Sequence, residues 1–198
     1  IFDAAYTSSP LCAPARASFT AAQYVSRCGA WNNDCRLLSD DYPSVPHALN
    51  AAGYECWLGG KMHFDENHRY GFKDVYGGVN DGVKTGIGPR RAFDDVSESS
   101  RGWEGRVAQF HTGDTSSVLD KDRVVTRECS GFLRDRKADD KPFFLLAGYL
   151  APHFPLIVPE EYYERYRDKV PMPEIPEGFL ETLPTHHKHL RAGFGVSK

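Results

Sequence analysis

Phe143-Phe144-Leu145-Leu146-Ala147-Gly148-Tyr149-Leu150 is the longest apolar run in the chain. A run of this length without a polar break reads as a strand buried on both faces. It is far shorter than the roughly 18 residues that a membrane helix needs. Just upstream, residues 117–136 carry Val118, Val125, Cys129, Phe132 and Leu133 at spacings of three, four and seven, the apolar stripe of a helix. Downstream, Ala151-Pro152-His153-Phe154-Pro155 breaks the strand. Residues 160–167 then read as a short amphipathic helix, and the prolines of 171–176 predict extended chain. The tail, 181–198, shows no clear period.

The same alternation holds toward the N-terminus. Residues 54–58 read as a second strand, closed by Gly59-Gly60. Ser44 caps a helix over 45–52, and Gly53 ends it. Residues 15–24 are Ala-rich and helical, with Pro14 in the first turn. Residues 2–7 form a weak candidate strand, and 77–116, rich in Gly, Ser, Asp and Arg, read as long irregular loops. Strands alternating with helices predict an α/β fold: a mainly parallel sheet with helices on both faces. Ligands of such sheets gather at the carboxyl ends of the strands.

The composition fits one folded domain. The chain has 198 residues, 40% hydrophobic and 26% charged, with a net charge of −3. No basic block stands out, which argues against a nucleic-acid partner. The cysteines are Cys12, Cys28, Cys35, Cys56 and Cys129, an odd number with no C-x-x-C spacing. That pattern predicts scattered, mostly buried thiols. It leans toward a reducing compartment such as the bacterial cytoplasm, with the periplasm left open.

Three polar clusters sit just after the three predicted strands, at strand ends on one edge of the expected sheet. In Ser9-Pro10-Leu11-Cys12-Ala13-Pro14-Ala15-Arg16, Cys12 lies just ahead of a predicted helix. Helix N-termini favour anions and reactive thiolates. The alternative is a small inert thiol beside an arginine paired with a surface carboxylate. In Gly59-Gly60-Lys61-Met62-His63-Phe64, Lys61 and His63 are two apart, so an extended backbone points them to the same side. An ammonium and an imidazole there suit an oxyanion and a proton; a solvated lysine and a core-edge histidine are the alternative. His153 sits between two prolines that fix its backbone, either as a site residue or as a histidine packed in a rigid turn. Together the clusters suit an anionic, tetrahedral substrate.

Cys12-Ala13-Pro14-Ala15-Arg16 resembles the C-x-P-x-R signature of the sulfatases, and Gly60-Lys61-Met62-His63 resembles the family's G-K-x-H motif. The segment from Pro142 through Ala151-Pro152-His153-Phe154-Pro155 is similar to the family's later strand and histidine turn. The likeness runs from about Thr7 to about Tyr166 and is nearest the choline-sulfatase-like and arylsulfatase-like branch. The resemblance implies an alkaline-phosphatase-like fold and hydrolysis of sulfate esters. It implies that Cys12 is oxidised to formylglycine, whose hydrate attacks sulfur with one hydroxyl and expels sulfate with the other. Arg16 would steady the hydrate and the developing charge, His63 orient the hydrate or assist its collapse, and Lys61 hold sulfate and, with His153, help the leaving oxygen. Ca²⁺, bound partly through the oxygen on residue 12, would polarise the sulfate. The implied partners are a small sulfated substrate and a formylglycine-generating or anaerobic sulfatase-maturing enzyme. Oligomeric state is left open.

Two departures accompany the likeness. Ala21 stands where the signature is usually followed by glycine. The family's metal-binding aspartates and amide lie on segments outside these residues, so 1–198 is expected to be part of a single larger catalytic domain. Alone it is expected to be inactive. Asp40-Asp41, Asp94-Asp95 and Asp139-Asp140 read as solvated turn charges, and His186, His187 and His189 as a solvated tail. Two other functions stay open: phosphonate or phosphate monoester hydrolysis on the same fold, and an inactive or sulfated-ligand-binding module.

Overall fold

The computed structural model describes residues 2–64, 67–75 and 110–193. The chain divides into two compact units, Ile1–Gly88 with Lys121–Leu150, and Pro89–Asp120 with Ala151–Lys198.

The first unit is built on a three-stranded parallel sheet in the order β2-β1-β4, from β1 (Glu55–Gly60), β2 (Lys73–Asp74) and β4 (Phe143–Gly148). Glu55 lies opposite Phe143 and Gly60 opposite Gly148. Strand alternation sends Cys56 and Leu58 to one face, where they form a buried cluster with Met62 and Phe72. The Cys56 thiol reaches the Pro46 carbonyl at 3.5 Å, which ties this face to helix α3 (Val45–Ala51). Trp57 and Gly59 take the other face, against helix α4 (Ser117–Asp135). The Trp57 and Phe132 rings are 5.3 Å apart, and Gly59 backs onto Cys129. The sheet is therefore parallel with helices on both faces, as expected.

Helix α1 (Cys12–Ala21) is alanine-rich, which favours helix, and it ends where Ala22 turns left-handed at φ 50°. Its Ala17 and Ala21 join Ala30, Leu37, Tyr70 and the thiol of Cys28, from helix α2 (Val25–Cys28), in a second buried cluster. Helix α3 starts as its cap predicts: the Ser44 hydroxyl accepts the His47 N–H at 3.0 Å. In α4, Val118, Val125, Cys129 and Phe132 are buried and Leu133 is half exposed.

The second unit contains a two-stranded parallel pair, β3 (His111–Thr112) with β5 (Ile157–Val158). Its helices are α5 (Glu160–Tyr166), α6 (Phe179–Thr182) and α7 (Thr185–Gly193). Among the described residues no helix is long and apolar enough to cross a membrane.

Several local expectations are corrected. Residues 2–7 form no strand; Phe2 and Tyr6 are almost fully exposed, and the described sheet gives them no ladder partner. β1 does not stop at Leu58 but continues through Gly59 and Gly60, because β4 pairs with both. β4 ends at Gly148 rather than Leu150. The Leu150 N–H leaves the ladder for the Asp122 carboxylate at 2.6 Å, and the Tyr149 hydroxyl meets that of Thr126. As an edge strand among the described residues, β4 is mostly half-buried instead of buried on both faces. α5 is exposed along its whole length, and the tail holds helices α6 and α7. Most of the 77–116 loop reading lies outside the described residues.

Asp40 is more than a solvated turn charge. Its carboxylate accepts the N–H groups of Arg69 and Tyr70, both at 2.6 Å, and so holds the buried Tyr70 in place. Burial pushes its pKa up, but those two N–H donors, with the charges of His68 and His47, outweigh it. The pKa therefore lies below the ordinary 3.8. A carboxylate depressed by folding stabilises the fold fully above its ordinary pKa and loses that effect as pH falls through the folded value. Asp40→Ala is expected to lower the melting temperature at about pH 7, with the gap to wild type closing toward about pH 2–3. A gap of equal size at both pH values would count against this role. Asp140 likewise works locally, accepting the Lys137 N–H at 2.8 Å and pairing with Arg136 at 3.4 Å; Asp94-Asp95 lie outside the described residues.

Candidate active site

Cys12 is the first residue of α1, not a residue ahead of it. Leu11 takes the extended N-cap conformation, and its carbonyl accepts the first helical bond, from the Ala15 N–H at 3.0 Å. Leucine has no side-chain acceptor to cap the turn. Nearby polar residues supply two: the Ser9 hydroxyl accepts the Leu11 N–H at 3.3 Å, and the Asn33 side-chain oxygen, Oδ1, accepts the Ala13 N–H at 3.0 Å. Ala21, the departure from the family pattern, is the last helical residue and is buried. The left-handed φ falls on Ala22, so position 21 does not require glycine.

Arg16 joins this helix to the end of β1. Its Nη1 donates to the Lys61 carbonyl at 2.5 Å and lies 3.4 Å from the Met62 sulfur. The Lys61 N–H in turn donates to the Gly148 carbonyl at 2.7 Å. The Lys61 backbone is thus held by α1 on one side and β4 on the other. The glycines of these two strand ends make that approach possible. A Cβ on Gly60, which sits at φ +92°, would overlap the Gly148 carbonyl, and a Cβ on Gly148 would overlap the Lys61 backbone.

Cys12 and Arg16 line an open cleft of about 540 Å³, with Thr7, Phe19, Met62 and Leu146. Lys61 and His63 flank Met62 in sequence but do not line it. The extended-backbone reading of Lys61 and His63 is corrected. β1 has ended at Gly60, and His63 sits at φ 59°, so a turn rather than strand alternation sets the two side chains. A histidine in the left-handed region is uncommon and stores strain of a kind that clusters at functional sites.

His153 belongs to the second unit, in the exposed turn 151–155. Its Nδ1 donates to the Phe154 carbonyl at 2.8 Å, and the Phe154 ring stacks on Phe110. With Nδ1 carrying a proton, Nε2 is the nitrogen that can accept or deliver one.

All five cysteines are outside disulfides; Cys28, Cys56 and Cys129 are buried. Burial pushes the Cys56 and Cys129 thiols up, which keeps them unreactive. Of the five, Cys12 faces the cleft. His186, His187 and His189 are exposed on α7, with the first two rings 4.2 Å apart. Among the described residues no three His, Cys, Asp or Glu side chains gather where a metal ion could be held.

The Sulfatase family model matches residues 1–186. The chain belongs to the sulfatase family. A choline-sulfatase of Rhizobium meliloti is 31% identical over 172 residues, covering 82% of this chain and 33% of the relative. The uncharacterized sulfatase YidJ of Escherichia coli is 26% identical over 204 residues, covering 94% of this chain and 38% of its own. This sulfatase chain thus spans about a third of the length of these curated relatives. Among solved structures, BT4656 in complex with its substrate D-glucosamine-2-N,6-O-disulfate overlays with a TM-score of 0.55 at 18% identity. The overlay covers 89% of this chain and 32% of that one. It supports the alkaline-phosphatase-like α/β fold.

Sequence reasoning picked out Cys12, Arg16 and Lys61 but missed Asn33, Met62 and Gly148. Asn33 falls in Gly29-Ala30-Trp31-Asn32-Asn33, a stretch that also resembles the family, but its bond to a backbone N–H 20 residues away has no local sequence signal.

Proposed function

We propose that the whole protein is a sulfuric ester hydrolase that cleaves a sulfate monoester with water to give an alcohol and sulfate. The observation that carries this reading is the Arg16–Lys61 carbonyl bond, which ties the turn bearing Cys12 to the strand end bearing Lys61. Cys12, converted to formylglycine by a maturation enzyme, supplies the hydrated aldehyde as nucleophile. Its place on the cleft wall is compatible with both modification and attack.

Besides the Ca²⁺ that the family likeness implies for the whole protein, which would polarise the sulfate, the chain's own groups serve the remaining needs. Sulfate keeps its negative charge until the S–O bond breaks, so catalysis must stabilise charge on the equatorial and leaving oxygens. The Arg16 guanidinium, on the cleft wall, and the Lys61 ammonium, on the strand end that Arg16 ties down, are the positive charges assigned to this role. His63 orients the nucleophile. The proton for the leaving oxygen is assigned to His153 on the motif likeness, from Nε2. The sulfated substrate remains a small molecule of undefined leaving group, and 1–198 is read as part of one catalytic domain.

Turnover of an aryl sulfate by the whole protein, with peptide mass spectrometry on Cys12, tests this. Conversion of the thiol to an aldehyde together with sulfate release is the expected result. An unmodified thiol in a host with a working maturation system, with no turnover, would overturn it. Lys61→Ala is expected to reduce turnover roughly 100-fold or more, as loss of an oxyanion donor does. Near-normal activity would remove Lys61 from the assignment.

A further inference from the structure

We propose that Asn33 is a positioning residue for the nucleophile, and this rests on the reading of Cys12 given above. The first turn of α1 has few N–H groups that lack a helical acceptor. Pro14 has none, and the Ala15 N–H is taken by Leu11. That leaves the N–H groups of Cys12 and Ala13. Asn33 accepts the second at 3.0 Å, so the peptide next to the nucleophile is fixed by a side chain from outside the helix.

Asn33 can do this because its own turn is held. The Asn32 side-chain oxygen accepts the Asp34 N–H at 2.9 Å and the Cys35 thiol at 3.2 Å, and the Asn32 carbonyl accepts the Cys35 N–H at 3.1 Å. Cys35 packs against the buried cluster that contains Ala17 and Ala21 of α1. Asn33 is thus presented to the helix start by a turn anchored to the same helix. Small displacements of a nucleophile cost rate rather than binding, so Asn33 should act on kcat.

The test compares Asn33→Ala, Asn33→Asp and, as a control, Asn50→Ala in the whole protein. Asn50, on α3, makes a side-chain bond that does not involve α1, donating to the Gly71 carbonyl at 2.7 Å. Asn33→Ala is expected to speed amide exchange in the peptide spanning residues 11–16 roughly tenfold, as loss of one hydrogen bond allows. It is expected to lower kcat for an aryl sulfate by a similar factor with KM little changed. Asn33→Asp keeps the acceptor and should restore exchange protection and kcat, while its charge raises KM for the anionic substrate. Asn50→Ala should leave kcat alone. Unchanged exchange in Asn33→Ala overturns the proposal, as does a kcat loss matched by Asn50→Ala. A wild-type protein without sulfate turnover overturns the functional reading instead, and the exchange comparison still decides whether Asn33 holds the turn.

Discussion

Cys12→Ala is expected to take sulfate-ester turnover by the whole protein to background while changing the melting temperature by no more than about 2 °C. The two halves of this expectation have separate physical grounds. Activity is lost because alanine has no atom that can be oxidised to the aldehyde, and the other cysteines are no substitute. Cys56 and Cys129 are buried with raised pKa values, Cys28 is buried as well, and half-buried Cys35 does not line the cleft, its thiol donating to the Asn32 side-chain oxygen. Stability is kept because Cys12 is half-buried at the first position of α1, on a cleft wall, where alanine is the better helix former. Residual turnover near the wild-type rate would show that another group is the nucleophile. A large fall in melting temperature would show that the thiol has a packing role that its position does not suggest.

The second large effect is on stability. Gly148→Ala is expected to destabilise the fold by about 3 kcal/mol, at the upper end of overpacking costs. The added methyl would overlap the nitrogen, carbon and oxygen of the Lys61 backbone. Backbone cannot swing aside as a long side chain can, so β1 and β4 must part at their ends. The Lys61 N–H bond to the Gly148 carbonyl would be lost with that movement. Gly29→Ala gives the contrast. Gly29 is left-handed at φ +75°, but nothing lies within 4 Å of its missing Cβ, so only backbone strain of about 1 kcal/mol is incurred. Denaturant melts of the two variants measure the difference. Equal costs would mean that the close approach of the strand ends is not what position 148 requires.

The strand ends also mark where sequence reading succeeds and fails. Local pattern was enough for the Ser44 cap, for the stripe of α4 and for the existence of β1 and β4, because each depends on residues within a few positions. The alternation of these elements was enough for a parallel α/β sheet, and the motifs around Cys12, Lys61 and His153 were enough for the family. From sequence, Gly59-Gly60 closes the strand, because glycine pairs commonly mark turns. They are strand because Cys129 and Gly148 crowd them from elements that lie roughly 70 to 90 residues away. Cys12 was placed outside its helix, because a leucine N-cap carries no signal of its own.

The sequence by itself determined which chemical groups this protein carries and which short elements they end. Tertiary structure decided that Arg16 reaches the Lys61 carbonyl and that the Asn33 side chain accepts the Ala13 N–H beside Cys12. Those choices depend on contacts between segments far apart along the chain. No local period or propensity encodes them.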